Sequence, residues 1–208
     1  MMVCLTPKPR RDDYRKDRNL ILNTRFPTVG DHIDWDVALS HYNAERLEEA
    51  HDKALEIGMG GHTQYLTWYR TIEAEALTAE RSQVRPIWTN LELEFVADEL
   101  EGREETVAQA ALDAFQDVGR RFGYGHESKV KLTVLASETD APWLFGRFGY
   151  CIAKEGFYKI GVPRHLAFEP SELRKTLQHE YAHVVVGTLS QRKAPRWVEE
   201  AVAMQAEG

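Results

Sequence analysis

Two histidines and a glutamate in one short segment are the residues of this sequence best suited to metal chemistry. In "LQHEYAHVVVG", residues 177–187, His179 and His183 stand four apart and Glu180 directly follows the first. Residues four apart on an α-helix are displaced by about 40° around the axis and about 6 Å along it, so both imidazoles can bind one ion. The H-E-x-x-H pattern also places a general base beside the metal, whose charge acidifies a water molecule. We therefore predict His179 and His183 as metal ligands and Glu180 as the catalytic base.

A helix has to position these side chains. Pro170 and Ser171 are helix start signals, and Gly187 is a stop signal. The apolar face of this helix consists of Leu173, Leu177, Tyr181 and Val184. The alternative interpretation of the segment is an amphipathic helix that carries two partly exposed histidines and no metal.

A catalytic zinc site needs a third protein ligand and an open position for water. Beyond the next loop, "APRWVEEAVAM" (residues 194–204) resembles a segment of the gluzincin metallopeptidases, in particular the bacterial peptidase-MA-like group. Those proteins follow their HE-x-x-H helix with a "P-x-W-x-x-E-G-x-A" helix, whose Glu is the third zinc ligand. The positions that match in register are Pro195, Trp197, Glu200 and Ala203. The resemblance implies that Glu200, and not its neighbour Glu199, completes a Zn²⁺ site, with Ala201 in place of the family's Gly.

The resemblance covers roughly residues 88–206 and implies the upper lobe of a zincin-like fold. In that lobe a strand, a long helix, a second strand and a hairpin precede the motif helix. In gluzincins the edge strand of the hairpin pairs with extended substrate through backbone hydrogen bonds, and residues 149–153 occupy its place here. Read without the family, the same residues are a short edge strand of a small sheet.

The periodicity of apolar residues predicts the same order of elements. Alternation in "NLELEFVA" predicts a half-buried strand, with Glu92 and Glu94 opposite its apolar face. The elements that follow are a helix over 104–123 that stops at Gly123, a strand over 130–136 and a hairpin over 149–162.

Two helices are predicted upstream, over 34–57 and 62–80, with the breaker "GMGG" between them. Their apolar faces include Val37, Tyr42 and Ala50 in the first helix and Trp68, Tyr69, Ile72 and Ala76 in the second. The predicted fold class is α+β: a zincin-like upper lobe over 85–208, an N-terminal helical hairpin within 20–84, and a charged tail over 1–19.

Two departures from the family affect the site. Thermolysin-like members carry an Asp four residues after the ligand Glu, which orients a zinc histidine, and this sequence has Met204 there. The family's lower lobe, with its oxyanion-stabilising Tyr or His, is not found after Glu200. We expect either a longer protein or a cleft wall supplied by the helices over 35–82. The residues that could replace the missing donor are Tyr150, Tyr158, His126 and His165, although an ordinary structural role is favoured for each.

Composition bounds the function classes. The chain has 208 residues, of which 43% are hydrophobic, enough to form a core. Its net charge of −7 argues against a nucleic-acid or anionic-membrane surface, although solubility alone is the favoured explanation of that charge. The two cysteines, Cys4 and Cys151, do not suggest a disulfide framework. Because no signal peptide and no apolar run of roughly 18 residues is found, we expect a cytoplasmic protein.

The leading hypothesis is a zinc-dependent metallopeptidase that acts on a peptide or protein substrate. The alternative is a zincin-fold binding or regulatory module with weak or no turnover. The presence of Glu180 counts against that alternative, because binding alone does not require a general base. A peptidase that cuts one specific partner is a third hypothesis, which the sequence does not separate from the first.

Overall fold

The structure, a computed structural model, describes residues 29–57, 63–136, 149–154 and 156–207. Its helices are α1 (Val29–Asn43), α2 (Leu47–Ile57), α3 (Thr63–Ala79), α4 (Ala97–Leu100), α5 (Glu104–Phe122), α6 (Pro170–Leu189) and α7 (Arg196–Ala206), with a 3-10 helix at Arg164–Phe168. Its strands are β1 (Gln83–Trp88), β2 (Leu91–Phe95), β3 (Val130–Val134), β4 (Tyr150–Ala153) and β5 (Tyr158–Val162). The predicted α+β class is confirmed. The predicted tail over 1–19 and the "GMGG" break lie outside the described residues.

The chain divides into two compact units, Met1–Ile72 and Glu73–Gly208. The division falls inside α3, so residues 73–79 belong to the same unit as the sheet. The periodicity of apolar residues in the sequence changes near residue 85, where the strands begin. The boundary between the two units lies further upstream, between residues 72 and 73.

In the first unit, α1 and α2 replace the single helix predicted over 34–57, and that prediction is wrong. Glu45 adopts a left-handed conformation with φ 58°. The amide of Arg46 then donates to the carbonyl of His41 at 3.0 Å, which closes the helix end as a C-terminal glycine usually does. Val37, predicted on the apolar face, is 40% exposed. The buried face of α1 consists of Trp35, Ala38 and Tyr42, which follow helical spacing.

The second unit contains one five-stranded sheet in the order β1-β2-β3-β5-β4. The central pairs β2–β3 and β3–β5 are parallel, while β1–β2 and β4–β5 are antiparallel. The predicted hairpin is confirmed, with Tyr150 opposite Gly161 and Ala153 opposite Tyr158. β1 was not predicted, because it contains Pro86, which lacks an amide donor. A proline is tolerated there because β1 is an edge strand.

The helices α5 and α6 pack on one face of this sheet and form its core. Leu93, Leu132 and Ile160 from the strands meet Phe115 from α5 and Tyr181 from α6. The rings of Phe115 and Tyr181 stack with centroids 3.9 Å apart. All four residues of the predicted apolar face of α6 are buried. This packing fixes the rotation of α6 and therefore the side from which its histidines project.

Two glycines, one at the end of α5 and one within α6, have different roles. Gly123 ends α5 in a left-handed conformation with φ 63°, as predicted. Gly187 does not end α6, which continues to Leu189, so the prediction of a stop there is wrong. A Cβ at Gly187 would lie 2.9 Å from the Tyr158 hydroxyl oxygen. Gly187 therefore permits close contact between α6 and β5.

The other face of the sheet carries a buried ion cluster, which we define as Glu75, Glu94, Thr133, Tyr150 and Lys159. The Lys159 ammonium lies 2.7 Å from a Glu75 oxygen and 3.8 Å from a Glu94 oxygen. The hydroxyl of Tyr150 donates to Glu75 at 2.5 Å, and that of Thr133 donates to Glu94 at 2.8 Å. The prediction of a half-buried β2 is therefore wrong at Glu94, which is buried.

Among the described helices, none combines the length and the apolar character that crossing a bilayer requires.

Candidate metal centre

Two consecutive helices carry the predicted site residues. His179, Glu180 and His183 lie on α6, and Glu200 lies on α7. The connecting turn contains two residues with positive φ, Gln191 at 53° and Arg192 at 59°. The amide of Arg192 donates to the carbonyl of Gly187 at 2.7 Å, which closes the turn.

Small side chains on α7 allow this helix to pack closely against the hydrophobic core. Ala203 and Ala206 are fully buried in the hydrophobic core. Helical spacing then places Glu200 beside the buried face, within reach of α6. The match of Ala203 to the family pattern therefore has a packing explanation in this structure.

Three donor groups from the two helices converge, and we call His179, His183 and Glu200 the ligand set. The Nε2 atoms of the two histidines are 3.3 Å apart, and Nε2 of His179 is 3.7 Å from Oε2 of Glu200. One donor atom from each residue lies within 4.8 Å of the others. Metal–ligand bonds of about 2.0–2.2 Å in a tetrahedral site require donors roughly 3.3–3.6 Å apart. The 3.3 Å separation lies in this range and the 3.7 Å separation is slightly longer. Two imidazole nitrogens and one carboxylate oxygen are of the donor types that Zn²⁺ accepts.

The ring of His179 is held on its far side by Glu207. The Nδ1 atom of His179 lies 2.6 Å from Oε1 of Glu207. An ionised carboxylate only accepts hydrogen bonds, so the proton of a neutral His179 ring lies on Nδ1. The Nε2 lone pair is then directed to the same region as Nε2 of His183 and Oε2 of Glu200. A cation between these atoms would satisfy all three.

The electrostatics of the two other motif residues also suit a bound cation. Burial, and then the electrostatic influence of His179, lower the pKa of His183 against the opposite influence of Glu200, and this favours the neutral, ligating form of His183. Glu180 is only 4% exposed, and burial raises its pKa to about 8, with further contributions from the charges of Glu200 and Glu207. A divalent cation in the ligand set would oppose this rise and favour the carboxylate.

Glu180 lies against the beginning of the edge strand. A Cβ at Gly149, which directly precedes β4, would lie 3.5 Å from Cγ of Glu180 and 2.4 Å from the carbonyl oxygen of Gly161. Gly149 therefore allows the chain to pass between the motif helix and β5. β4 itself pairs only with β5 among the described strands.

Cys151 on β4 is near the carboxylates of Glu180 and Glu199. Burial raises the pKa of its thiol well above the usual range, with further contributions from the charges of Glu180 and Glu199. The thiol is therefore in its neutral form at neutral pH, and Cys151 is not among the residues that converge as ligands. Glu199, predicted as a solvated neighbour, is partly buried.

The four candidate oxyanion donors are placed in other surroundings. The hydroxyl of Tyr150 is bound to Glu75 on the opposite face of the sheet. The hydroxyl of Tyr158 contacts Thr188, one turn beyond the motif. The ring of His126 is hydrogen-bonded to the hydroxyl of Tyr181, and His165 is an exposed residue of the 3-10 helix. The structure thus places none of these four residues in the ligand set.

Glu207 is the site residue that the sequence did not indicate. The family pattern directs attention to position 204, but Met204 is 69% exposed. Glu207 lies seven residues after Glu200, or almost two full turns, so helical spacing puts both carboxylates on one side of α7. That spacing is the signal by which Glu207 could have been found.

No protein-family model, curated protein or solved structure matches this chain. The gluzincin resemblance therefore remains a prediction from the motif residues.

Proposed function

We propose that this protein is a zinc-dependent metallopeptidase. The observation that carries the proposal is the convergence of His179, His183 and Glu200, with Glu180 buried one residue from the first ligand. When bound, zinc would act as a Lewis acid on the substrate carbonyl and lower the pKa of a water molecule. The ligand set would hold the ion and leave a fourth position open.

Glu180 would act as the general base. Its position one residue after His179 turns its side chain about 100° around α6, away from the chelating pair. The carboxylate would accept a proton from the attacking water and return it to the leaving amine. Its buried position excludes bulk water, which strengthens its interactions with charged groups.

Peptide substrate would be held by the outer edge of β4. An extended segment that pairs with this edge would run past Gly149 and Glu180. Trp197 and Met204 are 73% and 69% exposed, and they flank Glu200 on α7 at helical spacing. We expect them to contact apolar side chains of the bound peptide, since exposed large apolar groups beside a site favour apolar ligands.

The second candidate function is a binding or regulatory module that retains the metal site without turnover. The observation that favours it is the placement of the four candidate oxyanion donors away from the ligand set. A peptidase needs a donor to the developing oxyanion in addition to the metal and the base.

The variant Glu180→Gln separates the two functions. It retains the size of the side chain but does not accept a proton, so zinc content should persist while peptide hydrolysis falls by about 10²-fold or more. The matched control is Glu199→Gln, a change of the same kind outside the ligand set. A screen of unstructured peptides with the wild type supplies the substrate. Zinc-loaded wild type that cleaves none of them would favour the binding module. Glu180→Gln with undiminished hydrolysis would contradict the role of Glu180 as the general base.

A further inference from the structure

The imidazole of His179 has two nitrogens with different surroundings, and one of them points away from the ligand set. Its Nδ1 is 2.6 Å from Oε1 of Glu207, while its Nε2 faces His183 and Glu200. A ligand histidine needs an unprotonated nitrogen toward the metal, and the other nitrogen's partner determines which nitrogen that is. A carboxylate at Nδ1 retains the proton there.

We propose that Glu207 is a positioning residue that sets the tautomer and orientation of His179, and that Arg121 holds the end of α7 from which Glu207 reaches it. The inference rests on the proposed function in one respect, namely that the ligand set binds zinc. A positioning carboxylate should raise the metal affinity of the histidine that it orients.

The contact of Arg121 with α7 comes from a different element. Nη1 of Arg121, in the last turn of α5, donates to the carbonyl of Ala206 at 2.9 Å, with Gln205 O at 3.5 Å. These are carbonyls at the C-terminal end of α7, which have no partner within the helix. The guanidinium also complements the negative end of the helix dipole. Because Glu207 directly follows Ala206, this contact fixes the backbone from which its side chain extends.

Two other carboxylates on α7 differ in their relation to His179. Glu200 is 3.7 Å from Nε2 and so lies on the metal side of the ring. Glu199 points to another side of the helix, and its charge acts on Cys151. Glu207 and Glu200 therefore lie at opposite edges of one imidazole, and of the two only Glu207 is within hydrogen-bond distance of the ring.

The most direct test is ¹⁵N NMR of the histidine side chains in the full, metal-free chain. Wild-type His179, assigned by comparison with His179→Ala, should show a protonated Nδ1 and an unprotonated Nε2. Glu207→Leu, which has no acceptor, should lose this pattern, and Glu199→Gln should retain it. A wild-type ring with its proton on Nε2, or an unchanged pattern in Glu207→Leu, would overturn the proposal. The spectrum requires neither zinc nor turnover.

Zinc affinity, measured by competition with a chelator, gives the second readout. Glu207→Gln and Glu207→Leu should weaken zinc binding by about 10–100-fold, as for other partners of ligand histidines. Arg121→Gln should have a smaller effect in the same direction. The matched control Arg120→Gln, which removes a charge that pairs only with Asp117 in the described structure, should bind zinc like the wild type.

The possible outcomes distinguish the inference from the proposed function. Tight zinc binding by the wild type with equal affinity in the Glu207 variants would contradict the inference and leave the metal centre intact. Equal affinity in the Arg121 and Arg120 variants would contradict the role of Arg121. A wild type that binds no zinc but shows the expected His179 tautomer would support the positioning contact and contradict the proposed function.

Discussion

The buried ion cluster and the ligand set lie in the same unit, yet their charges are balanced in different ways. In the ion cluster, the Lys159 ammonium lies between the carboxylates of Glu75 and Glu94, and three hydroxyl groups, including that of Ser82, donate to those carboxylates. In the ligand set, two imidazole nitrogens and a carboxylate oxygen lie close to one another. Arg196 lies 3.7 Å from Glu200 but is almost fully exposed, so solvent weakens that pair.

The difference separates a buried group whose charges have partners within the chain from a half-buried group that we propose as a metal site. A buried charge needs an oppositely charged partner and hydrogen bonds to offset its desolvation, and the ion cluster has both within the chain. A group of possible metal donors whose cationic neighbour in the described structure is the exposed Arg196 is suited to an external cation. In the sequence both groups appear as polar residues within largely apolar elements. Which charges have a partner can therefore be seen only in the structure.

The largest expected effect concerns the buried ion cluster. Lys159→Met removes the buried cation and leaves two buried carboxylates, so the free energy of unfolding should fall by about 3–5 kcal/mol. Denaturant unfolding measures this change. The control is Lys175→Met, which breaks an exposed pair with Glu172 and should cost about 1 kcal/mol or less. Equal effects of the two substitutions would contradict the structural role given to the cluster.

The next effect is a pH dependence that originates at the ligand set. The pKa of Glu180 is raised to about 8 in the folded, metal-free chain, whereas an unfolded Glu titrates near about 4.3. Between these values the folded state binds more protons than the unfolded state, so the contribution of Glu180 to stability falls as the pH rises from about 5 to about 8.

Comparison with Glu180→Gln isolates this contribution. The difference in unfolding free energy between the variant and the metal-free wild type should increase in favour of the variant across that range, by about 3 kcal/mol or less. Saturating zinc should reduce the dependence, because the ion favours the carboxylate. A difference that stays constant with pH would show that Glu180 is ionised in the folded chain at all these values.

The smallest expected effect concerns the apolar residues beside the ligand set. Trp197→Ala and Met204→Ala remove exposed side chains, so stability should change little. For peptides with a bulky apolar residue next to the cleaved bond, KM should rise by about fivefold, or about 1 kcal/mol, with kcat nearly constant. Leu189→Ala, another exposed apolar residue on α6, is the control. Equal KM changes for peptides without apolar residues would argue against this contact.

The sequence predicted those features that depend on local spacing. The apolar face of α6, the stop at Gly123 and the hairpin all follow from periods of 3.6 or 2 and from turn residues, and the structure confirms them. Spacing along the sequence also places the two histidines of the ligand set on one side of α6 and identifies Glu200 on α7. Its approach across the two helices was inferred from the family pattern.

The features that the sequence did not predict depend on contacts between distant segments. Glu94 alternates like an exposed strand residue, but its partners are Thr133 on the neighbouring β3 and Lys159 on β5, one strand further away. Gly187 has the signature of a helix end, but it serves a close contact with Tyr158. Glu207 becomes a partner of His179 only through the packing of α7 against α6. Periodicity identifies the face of an element without identifying what covers it.

The measurement that most directly tests the metal centre is the zinc content of the purified chain after zinc is supplied and excess is removed. About one zinc per chain is expected for the wild type, because three donors and an open position form one site. His183→Ala, which removes one of the three donors, should lose most of the metal while remaining folded by circular dichroism. A wild type that retains no zinc, or a folded His183→Ala variant that retains as much as the wild type, would contradict the proposed centre.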